Sequence, residues 1–308
     1  MQYIHCTGAD NLGYNCYEPS DSLHSLFENT VITPFRELLP EEAVRFEDYN
    51  SNSDYINGLR INVLNRGSTD FNASSSWRGK VYTQEHKVLL NCVFYMPMHL
   101  YSSYHLYNRV CRHIIESENI VFIDFGCGPL TSGIAFWAAA GQRNITYIGV
   151  DISEHMLSKA AEINTAGPFG NSEAPFYENF HQERNFNNLP TYLNSIEKGN
   201  PEDTLILFNF SYVLASMTFR GNINALINAL LNIVQANLDY KIAMMYQNIS
   251  GGHGNWKKVK NRIINYPYFP VINFTAQNDT ETMLVKYDRL MQGTWHPYEV
   301  SYDCFYNW

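Results

Sequence analysis

From Ile120 onward, short apolar runs alternate with stretches of helical spacing. The first run, Ile120–Asp124, is followed by a helical pattern over 131–140 that Gly141 ends. A strand over 145–150 and a helix over 154–164 come next, then a strand over 174–178 and a clear buried strand over 204–208. A helix around 223–236 leads to a fifth strand over 241–246. Strands this short and apolar, separated by helices, predict a parallel sheet buried on both faces, with right-handed crossovers. After a helix over 256–264, runs at 271–276 and 282–289 flank the turn-forming stretch Gln277–Glu281 and predict an antiparallel hairpin.

The chain before Ile120 reads differently. Residues 1 to about 80 are polar and rich in turn formers, with Asp21, Asn29, Pro34, Pro40 and the 50–54 cluster interrupting any long pattern, which suits short helices. From Thr83 to about Ser117 the apolar spacing is helical, with a break expected at Pro97. Two regions follow: an amino-terminal helical cap over 1–118 and an α/β core over 119–308.

Composition narrows the function. The 308 residues carry a net charge of −9, against the basic footprint of a protein that grips a long phosphate backbone. The one compact basic run, Trp256–Arg262, has the spacing of a solvated helix face. Six dispersed cysteines form no C-x-x-C pair and no zinc spacing, so a reducing compartment and no metal are expected. No apolar run reaches the roughly 20 residues of a membrane span, and no leader pattern opens the chain, so a soluble, cytoplasmic protein is expected. The 22 tyrosines suit a pocket that is apolar at its walls and hydrogen-bonding at its rim.

The chemistry concentrates where the first two core strands end. Asp124 closes an apolar run, and Gly126 and Gly128 follow in a loop where missing side chains let backbone N–H groups approach a ligand. The second run, Tyr147–Val150, ends in Asp151, an acid placed to accept both hydroxyls of a ribose. This segment resembles motif I of the class I S-adenosylmethionine-dependent methyltransferases, in which an acid stands two residues before the first glycine. The terminal hairpin is similar to the reversed seventh strand of that family.

The resemblance implies a doubly wound, mostly parallel, seven-stranded Rossmann-like sheet and S-adenosyl-L-methionine as cofactor. By it, Asp124 stands near the cofactor's ammonium group, while Gly126, Cys127, Gly128 and Pro129 wrap its methionine part. Asp151 and Ile152 meet ribose and adenine, with Met156 at the same edge, and Glu178 or Asn179 reaches the adenine amine. One departure is Leu130, which occupies the family's third glycine position. Asn209, Ser211 and Tyr212 end the fourth strand, where family members position substrate; Asn209 and Tyr212 are the candidate catalytic groups, and Ser211 can alternatively cap a helix. His181 is a candidate base if the acceptor is a hydroxyl. His99, His105 and His113 match no metal-binding helix motif, and Tyr101, Tyr104 and Tyr107 read as a packing stripe, with walling of the cofactor and attraction of its sulfonium through the ring faces as the alternative. The expected activity is methyl transfer to nitrogen or oxygen of a small molecule or peptide. The alternatives are RNA methylation, a degenerate interaction protein of the same fold, and, least favoured, a dehydrogenase.

Overall fold

The alternating pattern resolves, in a computed structural model that describes residues 3–9, 13–39, 54–141, 143–170, 173–215, 222–249, 253–269, 273–286 and 295–308, into a mostly parallel α/β sheet. The central strand, β5 (Asn119–Phe125), pairs in parallel with β6 (Asn144–Val150) on one side and β8 (Thr204–Ser211) on the other. Beyond β6 lies β7 (Asn179–Glu183), and beyond β8 lies β9 (Lys241–Ile249), both parallel to their neighbours. Strand order therefore reverses between β5 and β8, which opens a crevice at their carboxyl ends.

Two long strands complete the core. β10 (Asn273–Lys286) and β11 (Trp295–Tyr306) form an antiparallel hairpin, with β11 inserted antiparallel beside β9, but the two runs expected to pair, 271–276 and 282–289, fall, where described, in the one strand β10. The expected turn at Gln277–Glu281 is instead an irregularity within β10, where the register shifts between Gln277 and Asp279. A bulge accommodates the same turn-forming residues. The connection between the strands, the expected runs' ends at Val271 and Arg289, Pro40 and positions 50–53 lie outside the described residues.

Among the described residues the sheet has nine strands rather than seven. An amino-terminal hairpin, β1 (Ile4–Ala9) and β2 (Asn15–Pro19), joins it through parallel pairing of β2 with β10, giving the order β1-β2-β10-β11-β9-β8-β5-β6-β7. The amino-terminal region is thus not helical throughout. It also holds α1 (Asp21–Phe27), α2 (Thr33–Leu38), α3 (Asp54–Gly58) and a small hairpin of β3 (Ser75–Trp77) and β4 (Lys80–Tyr82). Helix α4 (Gln84–His105) follows, its amino end closed by a Thr83/His86 capping box. It runs through Pro97 without ending, because Pro97 and its surroundings Val93, Phe94 and Leu100 are buried and packing offsets the lost backbone bond.

Alternate residues of each core strand feed two cores. Ile120, Phe122, Tyr147 and Leu205 face α4, α5 (Thr131–Ala140) and α6 (Glu154–Ala166). Val121, Ile123, Ile148 and Ile206 face α7 (Leu189–Ser195), α8 (Ile223–Ala236) and α9 (Gly254–Ile264). Both faces are covered, so the period-two geometry of a strand yields an uninterrupted apolar run in sequence. The basic run lies on α9, where Trp256, Val259 and Ile263 are buried, Lys257, Lys258 and Arg262 are exposed, and Lys260 pairs with buried Asp303 at 2.7 Å. Among the described residues, no helix is long and apolar enough to cross a membrane.

Candidate active site

A cavity of about 680 Å³ opens at the carboxyl ends of β5, β6 and β8. Its volume lies within the 300–1,000 Å³ typical of small-molecule sites. Gly126, Cys127, Gly128 and Pro129 form one wall, and Asp151, Ile152 and Met156 another. Residues 66–72 and the inner face of α4 close it from the amino-terminal side.

The loop after β5 requires its glycines. Gly126 and Gly128 have φ of +65° and +51°, and a β-carbon on Gly126 would come within 2.3 Å of the Val213 side chain. Its N–H groups, however, are not free for a ligand as the sequence suggested. Those of Gly126 and Cys127 both donate to the Val150 carbonyl, at 2.7 and 3.2 Å, and that of Gly128 donates to the Asp151 carboxylate at 3.1 Å. The loop therefore offers no nest of donors for a phosphate.

Asp151 is the anchor of the second wall. Its Oδ1 accepts the Ser153 N–H at 2.9 Å and its Oδ2 that of Gly128, so each oxygen retains further acceptor capacity toward the cavity. Burial raises the pKa of this carboxyl and the two N–H groups counter the rise. Ser153 also caps α6, fixing the turn that carries Ile152 and Met156.

Leu130 does not block the crevice. It adopts φ +70°, ψ +21°, the left-handed conformation that glycine takes freely, at a cost of about 1–2 kcal/mol for a branched side chain. The side chain is fully buried and points to α5, where its Cδ1 lies 2.5 Å from the position a β-carbon on Gly133 would occupy. Gly133 thus makes room for Leu130 behind the loop.

Asp124 lies beneath the loop and outside the cavity lining. Its Oδ2 accepts from Ser132 Oγ (2.6 Å) and Tyr147 OH (2.9 Å), and its Oδ1 from Asn209 Nδ2 (2.7 Å). Burial raises its pKa to about 6, opposed by these donors. The carboxylate lies behind the cavity wall, and Ser132, which lines the cavity, stands between. Asn209 is turned the same way, with its Oδ1 accepting from Ser211 Oγ at 3.0 Å, and it too is absent from the lining.

Other expected residues fall elsewhere. The third strand is 179–183 rather than 174–178, so the exposed Glu178 and Asn179 stand at its amino end, the sheet edge opposite the cavity. His181 is in the middle of β7, paired in register with Ile148 and 5.1 Å from the Tyr192 ring, and does not line the cavity. Cys127 is in the wall, but burial pushes its thiol well above the usual range, so it is a packing residue there.

Tyr212 does reach the cavity. It has φ +63°, an outlier for an aromatic residue, and its hydroxyl is 2.7 Å from Ser102 Oγ. Its ring stacks on His99 with centroids 3.8 Å apart and planes 13° from parallel. His99 was not among the site residues expected from sequence. Burial draws its imidazole pKa down to about 4, so the ring is neutral at pH 7. Ser103 beside it donates no sequence signal of its own, yet Ser103, Gln247, Ser211, Asn209 and Asp124 form one hydrogen-bonded chain from the α4 wall to the floor of the loop.

No family model matches this sequence, and no curated protein matches it. Solved structures do resemble it. Precorrin-6y C5,15-methyltransferase from Geobacter metallireducens is 11% identical over 76% of this chain and 95% of that chain, with a TM-score of 0.38. An arsenic(III) S-adenosylmethionine methyltransferase from Chlamydomonas reinhardtii is 11% identical over 62% and 64%, with a TM-score of 0.33. A proposed rRNA-methylase from Clostridium thermocellum is 13% identical over 63% and 92%, with a TM-score of 0.34. All three are methyltransferases by name, and their named substrates differ.

Proposed function

We propose that this chain is an S-adenosyl-L-methionine-dependent methyltransferase acting on nitrogen or oxygen of a small molecule or peptide. The observation that carries the reading is Asp151: a carboxylate on the cavity wall at the strand-order reversal, held in place by two backbone N–H groups and still able to accept hydroxyls. With its first three N–H groups engaged, the glycine loop itself offers no anion nest and serves as a close backbone wall for the zwitterionic methionine part.

The residues fit the cofactor in kind. Asp151 would accept the ribose hydroxyls, Ile152 and Met156 would pack on the base, and Gly126–Pro129 would enclose the methionine part. Asp124, ionised above about pH 6, adds negative charge beneath that part and acts through Ser132 as a positioning residue. Bound there, the cofactor supplies a methyl group already activated by positive sulfur. The chain's work is to align an acceptor with it and to exclude water. The six cysteines, none of them in a disulfide, support a reducing, cytoplasmic setting, and the charge of −9 favours acceptors other than bulk nucleic acid.

A thermal-shift titration tests the reading. S-adenosyl-L-methionine should raise the melting temperature in a saturable way, and NAD should not. A rise with NAD alone would overturn it.

A further inference from the structure

One face of α4 is built for chemistry that packing does not explain. Asn91, Tyr95, His99 and Ser103 recur every fourth residue, which aligns them along the helix. Asn91, His99 and Ser103 line the cavity that also contains Gly128 and Asp151. Elsewhere the same helix buries Val88, Leu90, Val93, Phe94 and Leu100. His99 is held flat on Tyr212, with the ring of Tyr95 also stacked at 6.2 Å. Tyr212 is fixed in turn by its left-handed backbone, by its N–H to the Gln247 carbonyl and by its hydroxyl to Ser102. Among the described residues, no group is hydrogen-bonded to either ring nitrogen of His99. An oriented imidazole with an open nitrogen in a ligand cavity is a proton acceptor awaiting a donor.

We propose that His99 is the base of the methyl-acceptor subsite, and that the acceptor is a small planar molecule bearing an aromatic hydroxyl. The proposal rests on the methyl-transfer reading above. A hydroxyl, unlike a neutral amine, gains nucleophilicity by losing its proton as it reacts, so it requires such a group. The aromatic surfaces of Tyr212 and Phe71, both in the lining, suit a planar ring. The acceptor O–H proton passes to the imidazole nitrogen, the oxygen's electron pair forms the new bond to the methyl carbon, and the pair of the broken carbon–sulfur bond stays on sulfur. The imidazolium then returns its proton to water at the cavity mouth.

Burial keeps the imidazole neutral at pH 7 and weakens it as a base, which the negative charge developing on the acceptor oxygen beside it offsets. Titratable neighbours are Tyr95 on its own helix, Tyr212 with Tyr298 behind it, Arg66 and Asp70 in the 66–72 segment, and Asp151 and Arg184 across the cavity.

The test compares wild type with His99→Gln, using phenol and 4-nitrophenol as probes, and measures S-adenosyl-L-methionine binding of both proteins by calorimetry. Phenol should shift the His99 ring resonances in an NMR titration without cofactor. Methyl transfer to phenol should fall about 100-fold or more in His99→Gln. Transfer to 4-nitrophenol, which ionises near neutrality without help from a base, should fall far less. Equal loss on both probes, no resonance shift, or no binding of either phenol by wild type would overturn the proposal. Failure of wild type to bind S-adenosyl-L-methionine would instead remove the reading beneath it. Unchanged cofactor affinity in His99→Gln would support the assignment to the acceptor side.

Discussion

Replacing Asp124 by Asn should abolish a specific pH dependence of stability. The Asp124 carboxyl has a folded pKa of about 6 against an ordinary 3.8, chiefly because burial penalises the charge. The native state therefore holds this proton more tightly than the unfolded chain, and the stabilisation present in acid is lost as pH rises through about 6. The full difference amounts to about 3 kcal/mol, of which about 2 kcal/mol falls between pH 4.5 and 7. In the variant, the new carbonyl can still accept from Ser132 and Tyr147. Its amide group, however, meets Nδ2 of Asn209 unless Asn209 turns over and gives up the Ser211 contact.

That mismatch costs about 1–3 kcal/mol and roughly cancels the relief from removing the charge at pH 7. Urea unfolding of both proteins at pH 4.5, 5.5 and 7 isolates the effect, because other titrating groups are common to both. Asp124→Asn should be close to wild type at pH 7 and about 2 kcal/mol less stable relative to it at pH 4.5. A difference that does not change across this range would refute the burial argument.

Two further outcomes follow from the packing around the loop. Gly133→Ala should destabilise by about 1–3 kcal/mol in thermal or urea unfolding despite its better helix propensity, because the new methyl meets Leu130 Cδ1 at 2.5 Å and Tyr147 Cε2 at 2.9 Å. Combined with Leu130→Ala it should cost less than the sum of the two changes, and strict additivity would contradict the pairing. Cys127 should resist iodoacetamide in the folded protein, as followed by mass spectrometry of its peptide, because it is 2% exposed and its thiol is held protonated. Modification at the rate of the unfolded chain would contradict this.

The core was legible because strands buried on two faces write themselves as apolar runs. β5, β6, β8 and β9 all fall where such runs occur, and Asp151 and the glycines fall at their ends. β7 was misplaced by five residues because it is an edge strand whose residues are half-buried or exposed, so it carries no apolar run. The β1–β2 hairpin was missed for a related reason: its place depends on parallel pairing with β10, more than 250 positions away, which local spacing does not encode.

The site divides in the same way. The acids and glycines were visible, but their partners were not: Ser132, Tyr147 and Asn209 come from three elements and meet only in the fold to enclose Asp124. His99 had a faint signal in the four-residue repeat of polar groups along α4. It was hidden because nearly every other side of that helix is buried, which blurs the contrast between faces.

Calorimetric titration of S-adenosyl-L-methionine into wild type and Asp151→Ala reaches the core of the account most directly. Wild type should bind one equivalent, and removal of the carboxylate should weaken binding at least tenfold while the variant stays folded by circular dichroism. Equal affinity in the two proteins, or no heat from wild type, would mean that the crevice between β5 and β8 does not hold this nucleoside.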